Sequence, residues 1–183
     1  MNEQTPSPIQ SAIRPGIIIG LVSLVITYIA YFIDSSYLAS GYFGLIALVL
    51  FFGLIIFFGK EFRKESGGFL AFGPAFNFSF FAILISGVVG LVGNILLFHV
   101  IDPNLPQVLG ELTFDAQLKM MEGLGQNPDS MPTETLDAMR EASASSFTLM
   151  GQLKAFGFGL IAYAIIALIL GAILKNRDKS LDF

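Results

Sequence analysis

Long apolar runs alternate with short polar segments along the chain, and four of the runs contain no charged side chain. They cover residues 15–33, 35–59, 73–98 and 155–174. A helix rises 1.5 Å per residue, so about 20 residues cross the roughly 30 Å hydrocarbon core of a bilayer. Continuous apolar runs of this length predict membrane-spanning helices, because a helix satisfies its backbone polar groups internally. The pattern therefore predicts an all-α protein, an antiparallel four-helix transmembrane bundle with an amphipathic helical insert between the third and fourth membrane helices.

The predicted boundaries give a tail followed by one membrane domain. We expect residues 1–14 to form a disordered cytoplasmic tail and residues 15–183 to form a single membrane domain. The first apolar run is longer than the roughly 7–15-residue core of a signal peptide and has no Ala-x-Ala site, so it is predicted to be an uncleaved membrane helix. The predicted membrane helices lie at about 15–33, 42–59, 73–98 and 154–174, with an extracytoplasmic helical insert at 100–150.

Basic residues fall mainly on one side of the predicted bundle. One precedes the first helix, three lie between the second and third helices, and three follow the fourth: Arg14, Lys60, Arg63, Lys64, Lys175, Arg177 and Lys179. The other side holds only Lys119, Arg140 and Lys154. The positive-inside rule places both termini and the 60–64 loop in the cytoplasm. The predicted location is the bacterial inner (cytoplasmic) membrane, as a multi-pass protein.

Composition supports a membrane protein and argues against several kinds of site. The 183 residues are 54% hydrophobic and 13% charged, whereas soluble domains carry about 25% charged residues. There is no cysteine and one histidine, which excludes thiolate metal sites and multi-histidine sites within one chain. His99 and Asp102 lie at the outer end of the third helix without the further ligands that a metal or catalytic site needs. We expect no enzyme activity, no cofactor and no metal. The net charge of −4 argues against nucleic acid as a partner.

The 100–150 insert is acidic and is predicted to contain one or two amphipathic helices. It holds eight acidic and two basic residues, a net charge of −6. Pro106 suits the first turn of one helix, which Gly123 and Gly125 close, and Pro132 suits the start of another. The small residues at 142–146 favour close packing of the second helix or its continuation into the fourth crossing.

All methionines after Met1 also lie in this insert, and three are candidate contact residues: Met120, Met121 and Met139. Thioethers facing the periplasm can bind Cu(I), but the chain has no M-x-M or M-x-x-M repeat. Methionine also provides an adaptable apolar surface. We therefore interpret these side chains as contacts for another membrane or periplasmic protein, or for the membrane surface.

The cytoplasmic loop before the third helix is the second candidate region for an interaction or lipid contact. Its candidate residues are Arg63, Lys64, Gly67, Gly68, Phe69 and Phe72. One interpretation is a glycine nest for a phosphate or lipid headgroup, with the two basic side chains as counter-charges. The alternative is a short interfacial helix whose glycines form the turn and whose aromatic stripe dips into the bilayer. That stripe would comprise Phe69, Phe72, Phe76 and Phe80.

The same loop carries a resemblance to a known family. The segment Gly67-Gly-Phe-Leu-Ala-Phe-Gly-Pro-Ala-Phe76 resembles the GGFxxFGxAF signature of small Bacteroidota integral-membrane proteins, a family known as a domain of unknown function (DUF family 4199). The resemblance extends over most of the chain and implies the fold and a membrane location, but no activity and no site residue. Pro74 departs from it, because a polar or basic residue is expected there.

These observations favour a non-enzymatic accessory or interaction subunit that uses its acidic insert. The alternative is a small oligomeric transporter or channel subunit in which polar residues of the third helix line a water path: Asn77, Ser79, Ser86 and Asn94. Such residues more commonly join neighbouring helices. The expected partners are the lipid bilayer and a membrane or periplasmic protein, and the sequence leaves a homo-oligomer open.

Overall fold

The computed structural model describes residues 7–176, and this part of the chain is all-helical, with six α-helices. They are α1 (Pro8–Ile33), α2 (Gly41–Glu65), α3 (Phe72–Leu96), α4 (Leu105–Gly123), α5 (Thr133–Ser146) and α6 (Leu149–Leu174). A 3-10 segment, Ser35–Ala39, joins α1 to α2, and the π-helical turn Leu97–Ile101 extends α3. A second 3-10 turn, Pro128–Ser130, joins α4 to α5. The predictions for residues 1–6, Arg177 and Lys179 lie outside the described residues.

Four of the described helices are long and apolar enough to cross a membrane: α1, α2, α3 with its π-helical extension, and α6. They indicate a membrane protein. Helix α2 differs from the others, because only 6% of its most apolar window is buried, against 22–28% for the other three. Most apolar side chains of α2 are therefore available to lipid or to another protein.

Helix α1 begins at Pro8, so the predicted disorder of residues 1–14 is wrong for residues 8–14. Proline suits the first helical turn because it has no N–H that needs a partner there. The N–H of Ser11 donates to the carbonyl of Ser7 (2.9 Å), and Ala12 is completely buried. Burial against residues distant in sequence stabilises this turn. Pro15, the predicted start of the helix, lies inside it.

Local signals set several other helix boundaries. The Oγ of Ser40 accepts a hydrogen bond from the N–H of Phe43 (3.2 Å) and so caps the start of α2. The π-helical extension of α3 ends at Ile101. Asp102 caps it by donating its N–H to the carbonyl of Leu97 (2.9 Å), and Pro103 follows. As predicted, Pro106 lies in the first turn of α4 and Gly125 follows it with a φ of +79°.

Contacts divide the chain into two compact units. The described part of the first covers residues 7–23, 48–90 and 158–176. Its described part has two buried clusters, whose main members are Ala12, Phe62, Leu70, Phe78 and Leu174 in one and Ile19, Ile55, Ile83, Ala167 and Leu170 in the other. Helices α1 and α3 approach closely at two glycines. A Cβ on Gly16 would lie 2.8 Å from the Cβ of Ile85, and one on Gly20 would lie 2.7 Å from that of Val89.

The second unit contains residues 24–47 and 91–157. Its core consists of Leu97, Phe98, Leu105 and Leu109, with Tyr28, Tyr31 and Phe147 among the side chains packed around them. Two tyrosine hydroxyls add hydrogen bonds at this core. Tyr28 donates to the carbonyl of Gly93 (2.9 Å) and Tyr31 donates to the carboxylate of Asp102 (3.2 Å). The start of α4 is therefore part of this core.

Candidate functional site

The α2–α3 turn, residues 63–72, contains the six candidate residues of the predicted cytoplasmic loop. Gly67 and Gly68 have φ angles of +82° and +87°, a region that favours glycine. The N–H of Gly67 donates to the carbonyl of Lys64 (3.1 Å) and the N–H of Gly68 donates to that of Arg63 (2.9 Å). This pair of bonds is a Schellman motif, which satisfies two carbonyls at the end of α2.

The Schellman motif decides between the two interpretations of the glycine pair. A phosphate nest needs free backbone N–H groups, and here both glycine N–H groups donate to carbonyls of α2. The glycines therefore form the turn, as the second interpretation expects, and both N–H groups are used within it. The side chains of Arg63 and Lys64 lie in the last turn of α2, where a positive charge is favourable to the helix dipole.

The predicted aromatic stripe is partly formed. Phe72 stacks on Phe76 at a centroid distance of 6.4 Å, and Phe76 stacks on Phe80 at 6.0 Å. Phe69 lies before α3 begins and is 48% exposed, so it does not continue the helical stripe. The prediction of one helix through all four rings is wrong at Phe69, because the positive φ of Gly68 and the extended pairing of Leu70 separate it from α3.

The helix pair α4–α5 is held together by contacts of its own. A Cβ on Gly110 would lie 2.8 Å from the Cα of Ala144, so glycine is required for this approach. Arg140 on α5 forms an ion pair with Glu111 on α4 (3.4 Å) and lies over the ring of Phe114 (5.0 Å). The small residues at 142–146 thus serve close packing. Helix α5 ends at Ser146 and does not run into α6.

The candidate methionines differ in exposure. Met120 is 68% exposed, near Leu124 at 70%, whereas Met121 and Met139 are partly buried. In the same 100–150 segment, seven of the eight acidic residues are exposed: Glu111, Asp115, Glu122, Asp129, Glu134, Asp137 and Glu141. The methionines lie in the second unit, and the α2–α3 turn lies in the first.

The polar residues of α3 differ in their exposure to solvent. Ser79 and Ser86 are buried, Asn77 is exposed and Asn94 is partly buried. In the π-helical extension of α3, His99 is exposed. Asp102 has a structural role there, because its carboxylate accepts from the hydroxyl of Tyr31 (3.2 Å) and from the N–H of Asn104 (3.1 Å).

A cleft of about 370 Å³ between the start of α1 and the end of α2 was not predicted. Its lining includes Gln10, Ser11, Arg14, Pro15, Ile18, Phe57, Phe58, Glu61, Phe62, Glu65 and Phe78. The one sequence signal for it is the pair Glu61 and Glu65, one helical turn apart. On the α1 side, Gln10, Ser11 and Arg14 were predicted to lie in a disordered tail, which gave no indication of a cleft. A second cavity of about 330 Å³ shares Phe62 and is also lined by Phe69 and Pro74.

Comparison with known families then adds one match. The family described as "Protein of unknown function (DUF4199)" matches residues 14–176. The chain belongs to the DUF4199 family. No curated protein and no solved structure matches this DUF4199 chain.

The family match confirms the resemblance seen at the glycine-rich loop. It covers the α2–α3 turn, the α4–α5 pair and the cleft residue Arg14, and it begins after the first turns of α1. The DUF4199 description supplies no activity.

Proposed function

We propose that this DUF4199 protein is a non-enzymatic interaction subunit of the bacterial inner membrane, which binds a partner protein through its acidic helix pair α4–α5. In this proposal the four long helices form an antiparallel bundle, both termini lie in the cytoplasm, and α4–α5 is an amphipathic insert on the opposite side. Four membrane-length helices and the one-sided distribution of basic residues support that arrangement.

The observation that carries the proposal is the division of contacts within α4–α5. The buried side chains of the pair are used inside the protein. Leu109 belongs to the core of the second unit, and the ring of Phe114 lies under Arg140, which also forms the ion pair with Glu111. The other exposed carboxylates of the pair, including those of Glu134, Asp137 and Glu141, lie outside these contacts. Glu134, Asp137 and Glu141 are spaced by three and four residues, so they form one acidic face of α5.

The chemistry of this surface favours a basic protein segment as its partner. An anionic lipid surface would repel a segment of net charge −6, whereas a run of lysine or arginine would be attracted to it. Met120 and Leu124 add exposed apolar side chains beside the charges. An adaptable apolar contact next to complementary charge is a common composition for a protein-binding surface.

The transporter alternative needs the polar residues of α3 on one water-facing stripe. Ser79 and Ser86 are buried while Asn77 is exposed, so these side chains occupy different environments. Packing between helices accounts for the two serines without a solute path. This difference supports the interaction role.

The test is affinity purification from the native membrane with surface variants of the full chain. Deleting the insert would remove Leu105 and Leu109 from a buried core, so substitutions at exposed positions are preferable. One variant combines Glu134→Gln, Asp137→Asn and Glu141→Gln, and a second combines Met120→Ser and Leu124→Ser. The control combines Gln107→Ala, Gln126→Ala and Thr135→Ala, which are exposed neutral positions on the same segment.

The proposal predicts a co-purifying protein with wild-type and control chains and its loss with the acidic-face variant. The apolar variant should retain less of it. If all four chains recover the same set of proteins, or if only anionic lipid is recovered, the proposed function is wrong.

A further inference from the structure

The cleft between α1 and α2 has a polar part and an apolar part. Gln10, Ser11, Arg14, Glu61 and Glu65 supply the polar lining. Ile18 and the phenylalanines at 57, 58, 62 and 78 supply the apolar lining. Its volume of about 370 Å³ falls in the range of about 300–1,000 Å³ that is typical of small-molecule sites. A ligand that fills it must itself be amphiphilic.

The charged groups of the cleft are available to a ligand. Within residues 7–176, the one ion pair closer than 4.0 Å joins Arg140 to Glu111, so Arg14, Glu61 and Glu65 are not paired with another described residue. The cleft thus presents one guanidinium and two carboxylates. A guanidinium is suited to a phosphate, and carboxylates accept from a primary ammonium, which has three N–H donors.

Pro15 removes one backbone hydrogen bond from the part of α1 that lines the cleft. Proline has no N–H, so the carbonyl of Ser11, four residues earlier, lacks its usual helical donor. Both residues line the cleft. A residue of the cleft wall therefore has a carbonyl without its usual helical donor.

The apolar wall is continuous with the exposed apolar side of α2. Phe57 is 60% exposed and Phe58 is partly buried, whereas Phe62 and Phe78 are buried at 3% and 1% exposure. The cleft lies at the ends of two helices long enough to cross a membrane. A headgroup in the polar part can therefore place its acyl chains along exposed phenylalanine and the lipid-accessible surface of α2.

We propose that this cleft binds a zwitterionic phospholipid with a primary ammonium, of the phosphatidylethanolamine type. Arg14 binds the phosphate, Glu61 and Glu65 accept from the ammonium, and the acyl chains lie along Ile18, Phe57 and Phe58. The site is separate from the acidic face of α5 and takes a different ligand. Free phosphoethanolamine lacks the acyl chains and leaves the phenylalanine wall uncovered.

The experiment uses the full chain purified in detergent and native mass spectrometry to count bound lipid. Phosphatidylethanolamine, phosphatidylcholine and phosphatidylglycerol with identical acyl chains are added separately, and phosphoethanolamine is a water-soluble fourth probe. The variants are Arg14→Gln, Arg14→Lys and the pair Glu61→Gln with Glu65→Gln. Matched controls are Lys175→Gln and Lys60→Gln, exposed charges that do not line the cleft.

We expect the wild-type chain to prefer phosphatidylethanolamine by at least about tenfold, and the Arg14→Gln and double glutamate variants to lose that preference. Arg14→Lys should retain part of it, and both controls should retain it fully. Equal binding of the three lipids by the wild-type chain overturns the proposal. So does an unchanged preference in the cleft variants, an equal loss in the controls, or binding of phosphoethanolamine as strong as that of the lipid.

Discussion

Leu70 and Asn176 pair through both of their backbone groups, although 105 residues separate them in the chain. The N–H of Leu70 donates to the carbonyl of Asn176 (2.9 Å), and the N–H of Asn176 donates to the carbonyl of Leu70 (2.8 Å). The side-chain Nδ2 of Asn176 also donates to the carbonyl of Gly68 (3.1 Å). The α2–α3 turn is thereby joined to the end of α6, and Leu70 is buried with Phe62 and Leu174.

This attachment predicts that Leu70→Ala destabilises the protein. The side chain is only 3% exposed, so truncation should lower the free energy of unfolding by about 2–4 kcal/mol. Phe69→Ala is the matched control, because Phe69 is 48% exposed and its loss should cost less than about 1 kcal/mol. Unfolding of purified protein by SDS titration measures both. Equal effects would show that Leu70 is not anchored as described.

The positive φ of Gly67 at the end of α2 predicts that an alanine there lowers the stability of the protein. Gly67→Ala should cost about 1–2 kcal/mol, because a left-handed backbone brings Cβ close to the following carbonyl oxygen. Gly73→Ala serves as the control, since a Cβ there meets nothing within 4 Å and no positive φ is required. Thermal unfolding in detergent compares the two. A Gly67→Ala variant as stable as Gly73→Ala would contradict the Schellman motif.

Close packing within α4–α5 predicts that Gly110→Ala weakens the pair. The added methyl would lie 2.8 Å from the Cα of Ala144, and such overpacking typically costs about 1–3 kcal/mol. At Gly123 a Cβ meets nothing within 4 Å, so Gly123→Ala should be neutral. Limited proteolysis of the intact protein should cleave the Gly110→Ala insert faster. Cleavage at the wild-type rate would mean that α4 and α5 do not approach this closely.

The hydrogen bond to Asp34 at the α1–α2 connection predicts that the stability of the protein depends on pH in the acidic range. The backbone N–H of Ser36 donates to its carboxylate (2.8 Å), which caps the 3-10 segment Ser35–Ala39 and lowers the pKa of Asp34 below its ordinary value. The folded pKa is lower than the unfolded one, so the cap stabilises the protein above the unfolded pKa. That contribution disappears as the pH falls through the folded pKa.

The check on Asp34 is the melting temperature of the wild-type chain and Asp34→Asn between neutral pH and pH 3. Asparagine keeps an acceptor oxygen but cannot be protonated in this range. The difference between the two chains should therefore change with pH below the ordinary pKa of aspartate. A constant difference over the whole range would exclude the cap as the cause.

Much of the helical pattern was predictable because each long helix depends on a local apolar run that is long enough by itself. The turns at Gly67 and Gly125 were predictable for a similar reason, since a positive φ selects glycine at a single position. The burial of Ala12 was not predictable, because it depends on a cluster that includes Phe62, fifty residues later. The helical start at Pro8 has the same cause.

The candidate sites show the same limit. Glu61 and Glu65 are visible as a pair in the sequence, but their cleft also requires Arg14 and Ser11 from α1. The aromatic spacing at 69–80 correctly predicted the stack from Phe72 to Phe80, whereas Phe69 was misplaced because Leu70 pairs with a residue near the end of the chain. Pairings over long sequence distances are not encoded in any local pattern.

The proposed function requires α4–α5 and the α2–α3 turn to face opposite sides of the membrane, and the accessibility of single cysteines tests this requirement. The chain has no native cysteine, so Ser66→Cys and Asn127→Cys each introduce one thiol, both outside the four long helices. Intact bacterial cells with a permeabilised outer membrane are treated with a membrane-impermeant maleimide. The account predicts labelling at position 127 in intact cells and at position 66 only after the inner membrane is opened. Labelling of both positions in intact cells, or of position 66 alone, would contradict it.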